Sequence, residues 1–282
     1  MRRCAVIGSP IAHSLSPLLH RAAYAQLGIA DQFSYDAFEV RPETLPEFVA
    51  DLGPEWVGLS VTAPNKQALL AEGVADEIVT TLQAGNTLIL GRDGTPNRVY
   101  NTDVTGLLSA LGRAGVRSAT TALLLGAGAT ARSALWAAAQ LGVREAVVSA
   151  RDADRARASL AELAAGLDIS LRYQPFGEPV ELPAGWQGRA DLVFSTVPVR
   201  LPDELAAAVV AAARLVFEVV YNHYPSALDQ AARDAGVPSL DGLDLLVGQA
   251  IDQIRLMTGR EADPDPLLTA CRTEVLRRQQ LA

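Results

Sequence analysis

Short apolar runs alternate with amphipathic stretches along the whole chain. In the first hundred residues, 4–7 and 33–39 read as strands, and 17–27 carries apolar positions at helical spacing between them. Pro42 at a helix start predicts a helix running towards residue 52, and 56–61 is a third strand. A helix follows Pro64, a second short one spans 76–82, and 87–100 reads as a hairpin turning at Asp93-Gly94. These elements make an α/β unit before the middle of the chain. A connecting helix over 103–114, stopped by Gly115, leads into a strand over 120–125.

From there the rhythm changes. Strand runs at 122–125, 146–149, 169–173, 191–195 and 215–220 alternate with helical segments, the pattern of a parallel doubly wound sheet. The stretch 176–188, rich in Pro and Gly, reads as loop. After Gly242, residues 243–257 have helical spacing, Gly259 stops them, and 266–281 forms a last helix. No fixed-period repeat interrupts the series.

The first strand of this second series breaks into Gly126-Ala127-Gly128-Ala129-Thr130-Ala131 and continues as an alanine-rich helix. A strand, G-x-G-x-x-A and a helix start form the dinucleotide-binding signature. Gly126 permits the tight turn, Gly128 admits a pyrophosphate near the backbone, and Ala131 packs the helix closely. The anion would rest on the helix N-terminus. A glycine turn can also simply join a strand to a helix; the strand at 146–149, at the spacing of a strand-helix-strand unit, favours the dinucleotide. After that strand comes Ala150-Arg151-Asp152. An acid there favours NAD and an arginine the extra phosphate of NADP; Arg151, with Arg155 one turn on, points to NADP, while Asp152 pulls the other way.

Length and composition narrow the class. With 282 residues, 49% of them hydrophobic and 20% charged, the chain can bury a core and form two domains. A net charge of −8 without a basic stripe excludes a nucleic-acid surface. The four-residue apolar run after Arg2-Arg3 is too short for a signal peptide, and no run reaches membrane-span length, so we expect a cytoplasmic protein. Cys4 and Cys271 read as buried thiols, and His13, His20 and His223 lack zinc-site spacing, so no metal is expected.

Four polar clusters fall at expected strand ends and loops. In 9–17, Ser14 and Ser16 are hydroxyls one residue apart that can grip a carboxylate; Ser16 before Pro17 reads equally as a helix N-cap. In 60–66, a proline turn delivers Lys66, the one lysine in a chain of 24 basic residues. A solvated surface lysine is the ordinary fate of this residue, yet an ammonium can donate a proton where a guanidinium cannot. Asn86-Thr87 and Asn101-Thr102 repeat one pair at two strand boundaries. Asp103 either caps the next helix or faces Lys66, where a carboxylate would hold the ammonium in place.

As an ordered set, 8–17, 61–66, 86–88, 101–103, 126–129, Tyr221, 241–243 and 249–250 resemble the shikimate dehydrogenase family over nearly the whole chain. The resemblance implies an α/β fold with an N-terminal substrate domain (1–103, completed by 243–282). The rest, 104–242, would be a doubly wound Rossmann-type NADP-binding domain, with the C-terminal helices returning to the substrate domain. It implies NADPH-dependent reduction of 3-dehydroshikimate to shikimate, a step of chorismate and aromatic amino acid biosynthesis, by a monomer or homodimer whose partner is a small-molecule substrate. Lys66 and Asp103 would be the catalytic pair. Ser14 and Ser16 would hold the substrate carboxylate, and Asn86, Asp103 and Gln249 its hydroxyls, with Thr62 and Tyr221 nearby. Gly126, Ala127, Gly128, Ala129, Thr130, Arg151, Arg155, Thr196 and Gly242 would line the NADP(H) site. The chain departs from the family pattern at Ser60 (usually Asn), at 83–86 and at 150–152. Three alternatives share these residues: a quinate or mixed quinate/shikimate dehydrogenase using NAD or NADP, a dehydrogenase for an amino-substituted shikimate, and an NADPH-sensing regulator without turnover. Paired serines and Arg151 lean towards shikimate and NADP.

Overall fold

The computed structural model describes residues 1–221 and 225–280; His223 and the expected helix end at Leu281 lie outside them. The chain divides into two compact units, Met1–Gly106 with Leu246–Ala282, and Leu107–Leu245. The crossings fall about three residues beyond the expected boundaries, inside helices rather than between elements.

The first unit runs β1 (Arg2–Gly8), α1 (Ser16–Gln26), β2 (Phe33–Glu39), α2 (Leu45–Ala50), β3 (Trp56–Val61), β4 (Val74–Ala75), α3 (Glu77–Leu82), β5 (Thr87–Ile89), β6 (Arg98–Tyr100) and the start of α4 (Thr102–Arg113). Its sheet has the order β2-β1-β3-β5-β6-β4. β1 lies between two parallel neighbours, which explains its unbroken buried run from Cys4 to Gly8. β3 then pairs antiparallel with β5, and β5 with β6, so the expected hairpin forms, with Asp93 and Gly94 both at positive φ in its turn.

Two helix expectations are corrected. α2 begins at Leu45, not near Pro42; Pro46 sits in its first turn, while 42–44 form a turn closed by Thr44 bonding to the Arg41 carbonyl. After Pro64 there is no α-helix but a turn and a short 3-10 helix, Ala68–Glu72, ended by Gly73 in extended backbone. So few residues cannot repay helix nucleation with repeated i→i−4 bonds.

The second unit contains β7 (Thr121–Leu125), α5 (Ala129–Gln140), β8 (Glu145–Ala150), α6 (Ala153–Gly166), β9 (Ser170–Pro175), β10 (Leu192–Ser195), α7 (Asp203–Ala211), β11 (Val216–Glu218), α8 (Ala227–Ala235) and β12 (Ser239–Leu240). Every pair in its sheet is parallel, and the order β9-β8-β7-β10-β11-β12 is the doubly wound 3-2-1-4-5-6 arrangement. The strand order reverses at β7 and β10, and the glycine turn follows β7 there. The 176–188 loop packs inward: Trp186 is buried with Leu123, Val147 and Val193, and its Nε1 donates to Glu145 Oε2 at 3.0 Å. α9 (Gly242–Thr258) and α10 (Pro264–Gln279) complete the chain.

Both cysteines are buried and unpaired, and burial pushes the Cys4 thiol up to about 11 and Cys271 up to about 12. Among the described residues no group of three or more His, Cys, Asp or Glu could hold a metal, and no helix is long and apolar enough to cross a membrane.

Candidate active site

Lys66 is delivered by a turn that is fixed from several sides. The Thr62 N–H donates to the Ile7 carbonyl at 2.9 Å, and the buried Asn65 donates from Nδ2 to the Val40 carbonyl at 2.9 Å. The Lys66 carbonyl accepts from Gly85 N–H at 2.8 Å, tying the turn to the strand entry at Asn86. The Lys66 side chain, only 18% exposed, donates from Nζ to Asp103 Oδ2 at 2.5 Å. It is therefore not the solvated surface lysine.

Asp103 is not a helix cap either. It lies in the first turn of α4, and capping falls to Asn101, whose Oδ1 accepts from Asp103 N–H at 3.0 Å and Val104 N–H at 3.4 Å. Asn101 in turn donates to the Ala84 carbonyl at 2.9 Å. With capping done elsewhere, the Asp103 carboxylate faces Lys66 on one oxygen and Asn86 Nδ2 on the other, at 2.9 Å. Asn86 Oδ1 accepts from Thr102 N–H at 2.8 Å, Thr102 Oγ1 at 3.1 Å and Thr87 Oγ1 at 3.0 Å, which determines which end of the amide points at Asp103. The two Asn-Thr pairs thus interlock around one carboxylate.

Ser16 is the first helical residue of α1, and Leu15 holds the cap position, so the N-cap reading of Ser16 is corrected. Ser14 Oγ accepts the Ser16 N–H at 3.2 Å, while Ser14 is half-buried and Ser16 buried. Thr62 is half-buried beside Gly8, where a Cβ would lie 2.4 Å from Thr62 Cγ2. Gln249 is set by a close crossing of two helices: a Cβ on Gly106 of α4 would lie 2.6 Å from Gln249 N, and one on Gly248 of α9 2.5 Å from the Gly106 carbonyl. Glycine at both positions lets Gln249 of α9 pack against Gly106, which follows Asp103 by one turn of α4. Tyr221 belongs to the second unit, after β11, and is half-buried. Ser60 is buried; its hydroxyl accepts from Tyr35 and donates to Gln253. Gln253 is absent from the expected set. Its one sequence signal was four-residue spacing from Gln249 on the same helix face.

In the second unit, Gly126 has φ +97° and a Cβ there would lie 2.6 Å from Thr196 Oγ1. Gly128 is the N-cap position of α5 with open space around it, and no side chain caps that end. Its first backbone N–H groups, lacking intrahelical partners, suit an anionic phosphate. Ala127 and Thr130 are half-buried and Ala129 exposed. Ser159 on α6 donates from Oγ to the Ala127 carbonyl at 2.7 Å, and Arg132 donates to the Ser159 carbonyl, a brace the sequence reading missed. Thr196 directs both its N–H and hydroxyl at the Leu125 carbonyl, each at 2.9 Å, which holds the turn and leaves the hydroxyl oxygen able to accept. Gly242 packs closely just beyond the end of β11, where a Cβ would lie 2.8 Å from the Val219 carbonyl. Asp152 is the N-cap of α6, its Oδ1 accepting Arg155 N–H at 2.9 Å. The acid that complicated cofactor choice thus has a structural task, while Arg151 and Arg155 stay exposed. These residues fit a dinucleotide bearing an extra phosphate.

The family profile of the shikimate dehydrogenase substrate binding domain matches residues 6–88, which contain the Lys66 turn and Asn86. A shikimate dehydrogenase (NADP(+)) of Methanothermobacter thermautotrophicus is 31% identical over 92% of this chain and 92% of its own length. The crystal structure of Mycobacterium tuberculosis shikimate dehydrogenase is 33% identical and superposes with a TM-score of 0.83, covering 97% of this chain and 100% of that one. The Thermus thermophilus shikimate 5-dehydrogenase, crystallised with NADP(H) and shikimate, is 28% identical with a TM-score of 0.79 over 97% of this chain and 99% of that one. With a Lys-Asp-Asn cluster in one unit, a glycine turn at the switch point of a doubly wound sheet in the other, and relatives matched along nearly their full length, the chain belongs to the shikimate dehydrogenase family.

Proposed function

We propose that the chain catalyses the reversible, NADP-dependent interconversion of 3-dehydroshikimate and shikimate, the reaction its relatives' names describe, within aromatic amino acid biosynthesis. The observation that carries this reading is the part-buried Lys66–Asp103 pair, whose carboxylate is also held by Asn86. NADPH, when bound along 126–130 with Arg151 and Arg155 at its extra phosphate, supplies the two-electron reduction of the C3 carbonyl.

The chain's own residues handle charge and protons. As C3 is reduced, negative charge collects on its oxygen, and the Lys66 ammonium stabilises that charge and delivers the proton that makes the hydroxyl. Asp103 accepts only one of the three Nζ protons. The other two remain for substrate. Holding an ammonium where charge develops, in a site largely closed to water, contributes several kcal/mol to lowering the barrier. The 18% exposure of Lys66 leaves a route for reprotonation from solvent. Asp103 keeps Lys66 aimed and accepts a hydrogen bond from a ring hydroxyl, with Asn86 and Gln249 positioning the others. Ser14 and Ser16 hold the carboxylate; Thr62 and Tyr221 border the substrate. We read the enzyme as cytoplasmic, acting on a small molecule as a monomer or homodimer.

Initial rates with shikimate and quinate against NADP and NAD test the assignment in four combinations. Shikimate with NADP gives the highest kcat/KM. Faster turnover of quinate moves the chain to a quinate dehydrogenase, and no absorbance change at the nicotinamide band with any pair favours a regulator without turnover.

A further inference from the structure

Behind the Lys66–Asp103 pair lies a set of buried hydrogen bonds that all point one way. Tyr35 donates from its hydroxyl to Ser60 Oγ at 2.6 Å, and Ser60 donates to Gln253 Oε1 at 2.7 Å. That contact identifies the oxygen end of the Gln253 amide, so Nε2 faces the other way. There it donates to Thr87 Oγ1 at 3.1 Å and to the Asn86 carbonyl at 3.3 Å. An amide nitrogen only donates, so the Thr87 hydroxyl must accept, and its single proton is left for Asn86 Oδ1 at 3.0 Å. Asn86 then donates from Nδ2 to Asp103 Oδ1.

None of these residues has access to water: Tyr35 and Thr87 are 0% exposed, Gln253 1%, Asn86 2% and Ser60 3%. A buried glutamine is unfavourable unless its polar atoms are all partnered, and here oxygen and both N–H groups are. Dipoles aligned head to tail reinforce one another in such surroundings. Removing one link would free the next to rotate.

We propose that Gln253 is a positioning residue for the Lys66–Asp103 pair, acting through the Thr87 hydroxyl and the Asn86 amide. The proposal rests on the functional reading above. α9 thereby carries two glutamines with different tasks one turn apart: Gln249 borders the substrate, and Gln253 orients the group that orients the acid.

Thr87→Val keeps the shape of the side chain and removes the hydroxyl, and Gln253→Leu removes the amide. In each, kcat falls about tenfold while KM for the dinucleotide stays unchanged. The Thr87→Ser protein, which keeps the hydroxyl, recovers kcat, and the Thr87→Val/Gln253→Leu double variant loses no more than either single one, because both break the same chain. A second readout needs no turnover. Lys66 is the only lysine, so protein labelled with ε-15N lysine gives one side-chain signal, which moves in Thr87→Val and Gln253→Leu and returns in Thr87→Ser. A Thr87→Val protein with lowered Tm but parental kcat and an unmoved lysine signal overturns the proposal and makes the chain a brace only. A parent inactive on shikimate whose lysine signal still responds as described breaks the functional reading and leaves the relay standing.

Discussion

The cluster around Asp103 and the glycine turn after β7 are organised in opposite ways. Around Asp103 the side chains bond to one another: buried Asn86, Thr87, Thr102 and Asn101 and half-buried Lys66 form a network in which both Asp103 oxygens and both ends of each asparagine amide have partners. At the glycine turn the side chains withdraw. Thr196 and Ser159 bind backbone carbonyls from behind, and the α5 N-terminus is left uncapped. The difference follows from what each must do. Proton transfer needs an acid and its partner fixed in a low-dielectric setting before substrate arrives, whereas a pyrophosphate needs unsatisfied N–H groups and room for its oxygens.

Substitutions in the two regions should therefore fail differently. The largest effect is expected for Lys66→Met, which lowers kcat about a thousandfold with substrate KM little changed, read from initial rates. Near-parental kcat would remove Lys66 from the chemistry and dissolve the contrast.

Next comes acid sensitivity of the first unit. His20 is fully buried, stacked on Tyr35 with ring centroids 3.8 Å apart, and neither ring nitrogen has a hydrogen-bond partner. Burial pushes its pKa down to about 3, so the folded protein holds it neutral while the unfolded chain protonates below about 6.5. Between those values the unfolded state binds more protons, and stability falls as pH falls, by about 2 kcal/mol from this group at pH 5. His20→Phe should remove that part of the decline between pH 7 and pH 5 in guanidinium midpoints. An identical decline in both proteins would acquit His20.

Gly126→Ala sharpens the other side. A Cβ at positive φ, 2.6 Å from Thr196 Oγ1, distorts the turn, and KM for NADP rises about tenfold while KM for shikimate stays put. A change in both constants would show that the turn is not confined to cofactor binding. The smallest effect is expected at Asp152. Its replacement by Ala removes the α6 cap and lowers stability by about 1 kcal/mol, without moving the preference for NADP over NAD; Arg151→Ala does the reverse. A swing towards NADP in Asp152→Ala would mean that the carboxylate reads the ribose.

Most of the fold was legible in the chain, for reasons visible element by element. Strand runs such as 33–39 and 56–61 coincide with observed strands: β2, at the sheet edge, buries Phe33 and Tyr35 two residues apart, and β3, paired on both sides, is buried at all but one of its positions. β4 and β12 escaped notice because two residues carry no period. The helix expected from Pro42 forms but starts only at Leu45, because a proline can open a turn as readily as a helix and the bond from Thr44 to the Arg41 carbonyl fixes 42–44 as a turn. At the site, Lys66 stood out as the lone lysine and Asp103 by its neighbours, but Ser16 and Asp103 each had an equally good reading as a cap. Those were resolved by Leu15 and Asn101, residues whose capping positions depend on where the helix begins.

By itself the sequence determined the two α/β series, the glycine turn between a strand and a helix, and the residue types able to move a proton or meet a phosphate. These are local properties, fixed by periodicity, by glycine's conformational range and by side-chain chemistry. Only the tertiary structure decided which of them face one another: Lys66 and Asp103 are 37 residues apart, and Gln253 meets Asn86 across 167. Such pairings depend on strand order and on the glycine-to-glycine crossing of α4 and α9, where the backbones approach closely enough to bring distant positions within hydrogen-bond reach. Hydrogen bonds act over about 3 Å, and no spacing along a chain encodes that distance when the chain between folds through a whole sheet.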